Sequence, residues 1–278
     1  MAKAVLFQGD IPEEQRIFYY GSTEDDPIQT EEQEKTHNKV ELRDGYVFIS
    51  RNPFVKIYDF FLYHGFKLFA RYYAHFYLHM KIENKKLFKQ AKGKGYVVYA
   101  NHTNPFHDAF SPSIVANRRI CTICSPANLG IPGIGKYLPH LGAMPLGKNP
   151  EQKAKFNAAI DERLAQKRAL IIYPEAHVWP YYTGIRPFPA GDRSFKYPVR
   201  NNLPIFTMTT TYQKSKKKGQ ARPDMTVYVD GPFYPDPKLS DDENRAKLAK
   251  EAYESMVKYS KNSNYEYFQY RKKSTKKS

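Results

Sequence analysis

The sequence predicts an α/β fold, a mixed central sheet flanked by helices, with an N-terminal amphipathic helical segment made for a membrane interface. Three observations carry this. Short apolar, strand-like runs alternate with helix-like stretches from residue 96 onward, turn residues punctuate the alternation, and 278 residues suit one such domain with appended ends. Residues 1–51 read as an N-terminal arm, 52–80 as an amphipathic helix or helix pair, 81–265 as the main domain and 266–278 as a basic C-terminal tail.

The arm mixes charges with Pro12, Gly21 and Pro27 and shows no sustained periodicity, apart from a short hairpin expected around KVELRDGYVFIS at 39–50. In residues 52–80, Tyr58, Leu62, Phe66, Phe69, Tyr73, Phe76 and Met80 recur at steps of three and four, while Lys67, Arg71, His75 and His79 form a second stripe. That is an amphipathic helix, or two meeting near Gly65, with an aromatic face and a basic face. Such a helix suits a lipid interface, or packs on its own domain.

Strands are expected at 96–100 (YVVYA), 119–124 (RICTIC), 169–173 (ALIIY), 203–212 (LPIFTMTTTY) and 225–233 (MTVYVDGPF), and helices at 151–168 and from Ser240 to about Ser260. Between the last two strands, KSKKKGQ at 214–220 reads as a basic hairpin tip. Cys121 and Cys124 form a lone C-x-x-C with no second ligand pair, which favours core thiols over zinc; no metal and no tightly bound cofactor is expected.

Lysine and arginine number 44 against 28 acidic residues, a net +16 that attracts polyanions such as nucleic acid, anionic lipid headgroups or phosphorylated co-substrates. With 23 Tyr and 18 Phe, a nucleic-acid binder is one reading. Against it, no nucleic-acid motif is present and the aromatics gather on a helix face instead of alternating with cations on strands. No window reaches the roughly 18 uninterrupted apolar residues a spanning helix needs, and the N-terminus is not a basic-then-apolar leader, so the expected place is the cytoplasmic face of a membrane, peripheral or monotopic.

Chemistry concentrates in NHTNPFHDAF (101–110), directly after a buried-looking strand, where open α/β sheets place their ligands. Asp108 follows His102 by six positions, and the turn at Asn104-Pro105 can fold its carboxylate back to the ring. A histidine held by an aspartate is suited to taking a proton from an alcohol. His107 neighbours Asp108 and is the alternative partner. No serine or cysteine nucleophile has a motif around it, so direct attack by a substrate hydroxyl is expected. A second strand ends in Tyr173-Pro174-Glu175, followed by a loop with Arg186, Arg193 and Lys196.

These blocks together resemble the glycerolipid acyltransferase superfamily, which contains the lysophosphatidic acid and glycerol-phosphate acyltransferases. Asn101, His102 and Asp108 match its Asn-His-x-x-x-x-Asp loop with one extra residue and Asn104 two places after the histidine. GIPGIGKYLPHLGAMPLGK (130–148) is similar to its glycine-containing block, with Lys148 in the place of an arginine. Tyr173, Pro174 and Glu175 match the start of Phe-Pro-Glu-Gly-Thr-Arg, and Leu203-Pro204-Ile205-Phe206 its last apolar strand. The resemblance spans residues 80–235. Ala176-His177-Val178 replaces Gly-Thr-Arg, leaving Arg186, Arg193 and Lys196 to supply the phosphate-binding cation. It implies catalysis by His102 and Asp108, substrate contacts through Asn104, Lys148, Glu175, Arg186, Arg193 and Lys196, acyl-CoA or acyl carrier protein as donor, a lysophospholipid or glycerol phosphate as acceptor, and an anionic membrane as partner. The competing readings are the nucleic-acid binder and a non-catalytic lipid-binding protein on the same fold.

Overall fold

The computed structural model describes residues 11–21, 41–104 and 106–273. A seven-stranded sheet has the order β2-β8-β7-β3-β6-β4-β5. Its strands are β2 (Lys81–Glu83), β3 (Tyr96–Ala100), β4 (Ile120–Cys124), β5 (Ala143–Pro145), β6 (Ala169–Ile172), β7 (Ile205–Gln213) and β8 (Asp224–Phe233). All neighbours are parallel except the β7–β8 hairpin, whose tip is the expected basic loop. The chain leaves β3 toward β4, returns to insert β6 beside β3, then crosses to β7 on β3's other side. That reversal makes the carboxyl ends of β3 and β6 the natural crevice of the sheet.

β3 is buried on both faces, which is why it reads as a continuous apolar run. Val97 and Tyr99 face a core with Phe156, Ile160 and Leu164 of one helix (Pro150–Ala165) and Leu248, Ala252 and Met256 of another (Asp241–Ser260). Tyr96, Val98 and Ala100 face the opposite core with Tyr63, Phe88 and Val115. Both long helices start on side-chain caps: Asn149 accepts from Gln152 N, and Ser240 with Glu243 forms a reciprocal capping box. Cys121 is buried in the first core, as core thiols are, and Cys124 is half-buried. Gly142 sits at φ 107° between a short helix (Leu138–Leu141) and β5, where a Cβ would lie 2.6 Å from the Ile120 carbonyl oxygen.

Residues 53–76 form one continuous helix, α1 (Pro53–Phe76), with no break at Gly65. Its packed face is turned from the expected one. Tyr63, Ala70 and Ala74 are buried, the two alanines small enough to let the helix approach the body, and Phe66 and Tyr73 pack partly beside them. The opposite face, with Phe54, Phe61, Leu68, Tyr72 and Phe76, is exposed, Phe54 by 79%. The apolar residues of this segment thus serve two faces, which a single-stripe reading merges.

The two ends differ most from expectation. Ile17–Tyr20 is a strand, β1, pairing in parallel with β9 (Gln269–Lys272), so the arm and the tail join in a two-stranded sheet. Tyr267 and Phe268 are buried with Ile11, Phe18 and Tyr181 in a third, aromatic cluster. Of the hairpin expected at 39–50, residues 39–40 lie outside the described residues, and 41–50 turn at Asp44-Gly45 without strand pairing. Truncating a fully buried phenylalanine costs about 3–5 kcal/mol. Phe268→Ala should therefore lower stability by that order in denaturant unfolding, and a loss of under about 1 kcal/mol would show that the last strand does not pack.

Candidate active site

His102 emerges one residue beyond Asn101, which extends the β3 ladder by side chain: its Oδ1 accepts from Thr210 N at 2.8 Å and its Nδ2 donates to Thr210 O at 2.9 Å. The chain then curls so that Asp108 comes back under the ring. Asp108 Oδ2 lies 2.8 Å from His102 Nδ1 and accepts the backbone N–H groups of Thr103 and Asn104 at 2.9 and 2.8 Å. A carboxylate receiving Nδ1–H fixes the neutral tautomer that leaves Nε2 unprotonated. The ring keeps 21% exposure, and among the described residues Nε2 has no protein partner. Burial alone would raise the Asp108 carboxyl, but the hydrogen bond from His102 and the closeness of the two imidazoles, His102 and His107, outweigh it and hold it down at about 2. Such a depressed carboxyl adds stability above the usual aspartate range, lost as pH falls toward 2.

His107 is not the hydrogen-bonded partner. Its Nδ1 approaches Asp108 Oδ1 to 3.1 Å without hydrogen-bond alignment, and the ring is buried. His102 has both the aligned contact and the access to solvent.

The Tyr173–Arg186 segment wraps this loop. Tyr173 stacks on the His102 ring, centroids 4.4 Å apart, and its hydroxyl donates to the Asp108 carbonyl at 2.6 Å. Trp179 N donates to His102 O and Tyr181 N to Thr103 O. Ala176 and Tyr181 sit at φ 65° and 54°, a left-handed conformation that favours glycine. Ala176 thus holds the backbone shape that the glycine of Phe-Pro-Glu-Gly-Thr-Arg would adopt freely.

Several expected substrate contacts are corrected. Glu175 is 1% exposed, and both its oxygens are occupied: Oε2 accepts from His102 N and Oε1 from Arg186 N, each at 2.7 Å. It ties two loops together and does not face an acceptor. Burial pushes its carboxyl above the usual range, against these hydrogen bonds and Arg186. Asn104 is buried, its Oδ1 accepting from Phe106 N and His107 N, so it shapes the loop. Arg186 is buried too, its guanidinium 4.3 Å from the Trp179 ring centroid and bonded to the His177 carbonyl. Lys148 pairs with Glu41 at 2.7 Å beyond β5, three strands from β3 and so about 14 Å away. Arg193 and Lys196 are exposed on a turn and a short helix (Lys196–Arg200), with no hydrogen bond or ion pair to His102, Asp108 or Glu175 among the described residues.

A model of the family described as Acyltransferase matches residues 79–210. Over these residues the chain is similar to that family's domain. They hold the His102 loop, the Glu175 segment and the strands between, and over residues 79–210 the match bears out the glycerolipid acyltransferase resemblance. Among solved structures, the fold is similar to that of PlsC, the 1-acyl-sn-glycerophosphate acyltransferase of Thermotoga maritima, with a TM-score of 0.50 and 18% identity over 78% of this chain and 98% of that one. A search of curated proteins finds no match.

Sequence reasoning missed Tyr173 as a ring support and Glu175 as a clamp. The tyrosine in the place of the motif's phenylalanine was the visible signal for the first; nothing local marked the second. In Glu175→Gln one amide N–H₂ must face a backbone N–H, so stability should fall by about 1–3 kcal/mol and turnover by about 10²-fold through misplacement of His102. Thermal unfolding and kcat with unchanged values would reject the clamp.

Proposed function

We propose that this protein moves a fatty acyl group from acyl-CoA or acyl carrier protein to the hydroxyl of a lysophospholipid or glycerol phosphate, at the cytoplasmic face of a membrane. The observation that carries the reading is the aligned His102–Asp108 pair with Nε2 open at the tip of β3. Nε2 takes the acceptor's hydroxyl proton as the oxygen attacks the thioester carbonyl, and the new C–O bond forms. The tetrahedral intermediate then expels the thiolate as the C–S bond breaks, and the imidazolium returns the proton to sulfur. Asp108 stays ionised and supports the imidazolium throughout. No acyl-enzyme forms.

The membrane part of the proposal rests on α1. Among the described residues no helix is long and apolar enough to cross a bilayer. Yet α1 turns Phe54, Phe61, Leu68, Tyr72 and Phe76 outward, a contiguous aromatic stripe of the kind that seats in the headgroup boundary. Phe66 and Tyr73 on its other flank pack against Phe110 and Phe106 of the His102 loop, so a seated helix would hold the site near lipid.

His102→Ala should retain the fold and lower acyl transfer from labelled acyl-CoA to a lysophospholipid by roughly 10³-fold. Asp108→Asn, which favours the wrong tautomer, should cost up to about 10⁴-fold; retained activity in either would sink the assignment. Phe61→Ser with Leu68→Ser and Tyr72→Ser removes only exposed side chains and should weaken partition onto phosphatidylglycerol-containing vesicles by about 10²-fold. Equal sedimentation of this variant and the parent would discard the membrane role of α1.

A further inference from the structure

At the end of the strands opposite His102 lies a cavity of about 280 Å³. Arg119 and Arg168 immediately precede β4 and β6, which run parallel to β3, so they stand at the strands' amino ends, about 15 Å from the catalytic tips. Five cations line the space: Arg51, Lys56, Arg119, Arg163 and Arg168. The one acidic residue in the lining, Asp59, is committed to His140 Nδ1 at 2.7 Å.

Charge balance inside is poor. Arg51 is paired outward with Glu162. Among the described residues, Lys56, Arg119, Arg163 and Arg168 make no ion pair with a carboxylate. Arg119 spends one nitrogen on the Asp59 and His140 carbonyls while its buried Nε has no partner, and its guanidinium rests 4.9 Å from the Tyr63 ring centroid. Burial and the neighbouring Arg163 and Arg119 press the Arg168 guanidinium down to about 10. Several half-buried guanidiniums facing one cavity, its lining carboxylate Asp59 held by His140 and the nearby Glu162 by Arg51, form a repulsive arrangement that a bound anion relieves. Planar guanidinium forks match the oxygens of a phosphate in particular.

We propose that this cavity is a second binding site, for a phosphate monoester group, separate from the site of chemistry and independent of the acyl-transfer reading. Two sources carry that group: the headgroup of a phosphatidate-class lipid, and a soluble phosphate. Lys56 belongs to the first turns of α1, beside outward-facing Phe54 and Ile57, so a lipid phosphate in the cavity would leave its chains along the exposed stripe.

The test uses the full chain and the double variant Arg163→Gln with Arg168→Gln. Its charge-matched control is Lys217→Gln with Lys218→Gln on the β7–β8 hairpin. Thermal unfolding is followed with inorganic phosphate at constant ionic strength, and sedimentation with phosphatidylcholine vesicles with and without phosphatidic acid. Removing the two arginines relieves repulsion, so the ligand-free variant should melt no lower than the parent. Lys56→Gln, fully outside the core, provides a milder variant with intact packing. A phosphate-induced rise in Tm whose affinity falls by about 10²-fold in the double variant, and less in Lys56→Gln, supports a site for soluble phosphate. A preference for phosphatidic acid vesicles that vanishes in the double variant, without a phosphate effect on Tm, supports the lipid headgroup. The proposal is overturned if neither probe separates parent from double variant, or if the hairpin control loses as much.

Discussion

A single buried carboxylate holds the site together. Glu175 accepts one backbone N–H from the loop after β3 and another from Arg186, so two segments that leave neighbouring strands meet on its two oxygens. Leaving both amides unpaired in the interior would be costly, and so would the carboxylate alone; each demand answers the other. The ring stacking of Tyr173 on His102, the Trp179 and Tyr181 ladder contacts and the strained Ala176 backbone all follow from this junction. The geometry of the base is therefore set by the main chain, with Asp108 completing it from within its own loop.

Charge is distributed with similar economy of position. The carboxylate beside His102 is pinned low and the clamp carboxylate pushed high, although both are fully buried. The difference lies in their partners: Asp108 has two imidazoles and two amides within reach, while Glu175 has amides and a more distant guanidinium. Falling pH should consequently reach the clamp before the dyad. The sheet itself separates the basic cavity at the amino ends of β4 and β6 from the loops at the carboxyl ends, so the two sets of polar groups do not compete for one ligand.

Much of this was legible in the residues. Five strand-like runs and two helices fall where periodicity and capping place them, because the sheet interior demands apolar, β-branched or aromatic side chains on both faces and the helices begin on Asn149 and Ser240. His102 and Asp108 were legible because a loop of seven residues brings them together without help from distant chain. The roles of Glu175, Asn104 and Lys148 were not, since a motif records which residue stands at a position and not which oxygen meets which amide. β1, β9 and the buried pair Tyr267 and Phe268 escaped for a related reason: their partners are remote, and neither short segment carries a periodic signal.

The pairing of β1 with β9 couples residues 17–20 to residues 269–272 in register. Tyr270 of β9 stacks on Trp179 and donates to the Pro180 carbonyl, in the very segment that wraps the His102 loop. During synthesis the wrapping segment emerges long before its cover does. The nascent chain can assemble its large sheet early, yet the aromatic cover of the wrapping segment is completed only once β9 has emerged and found β1.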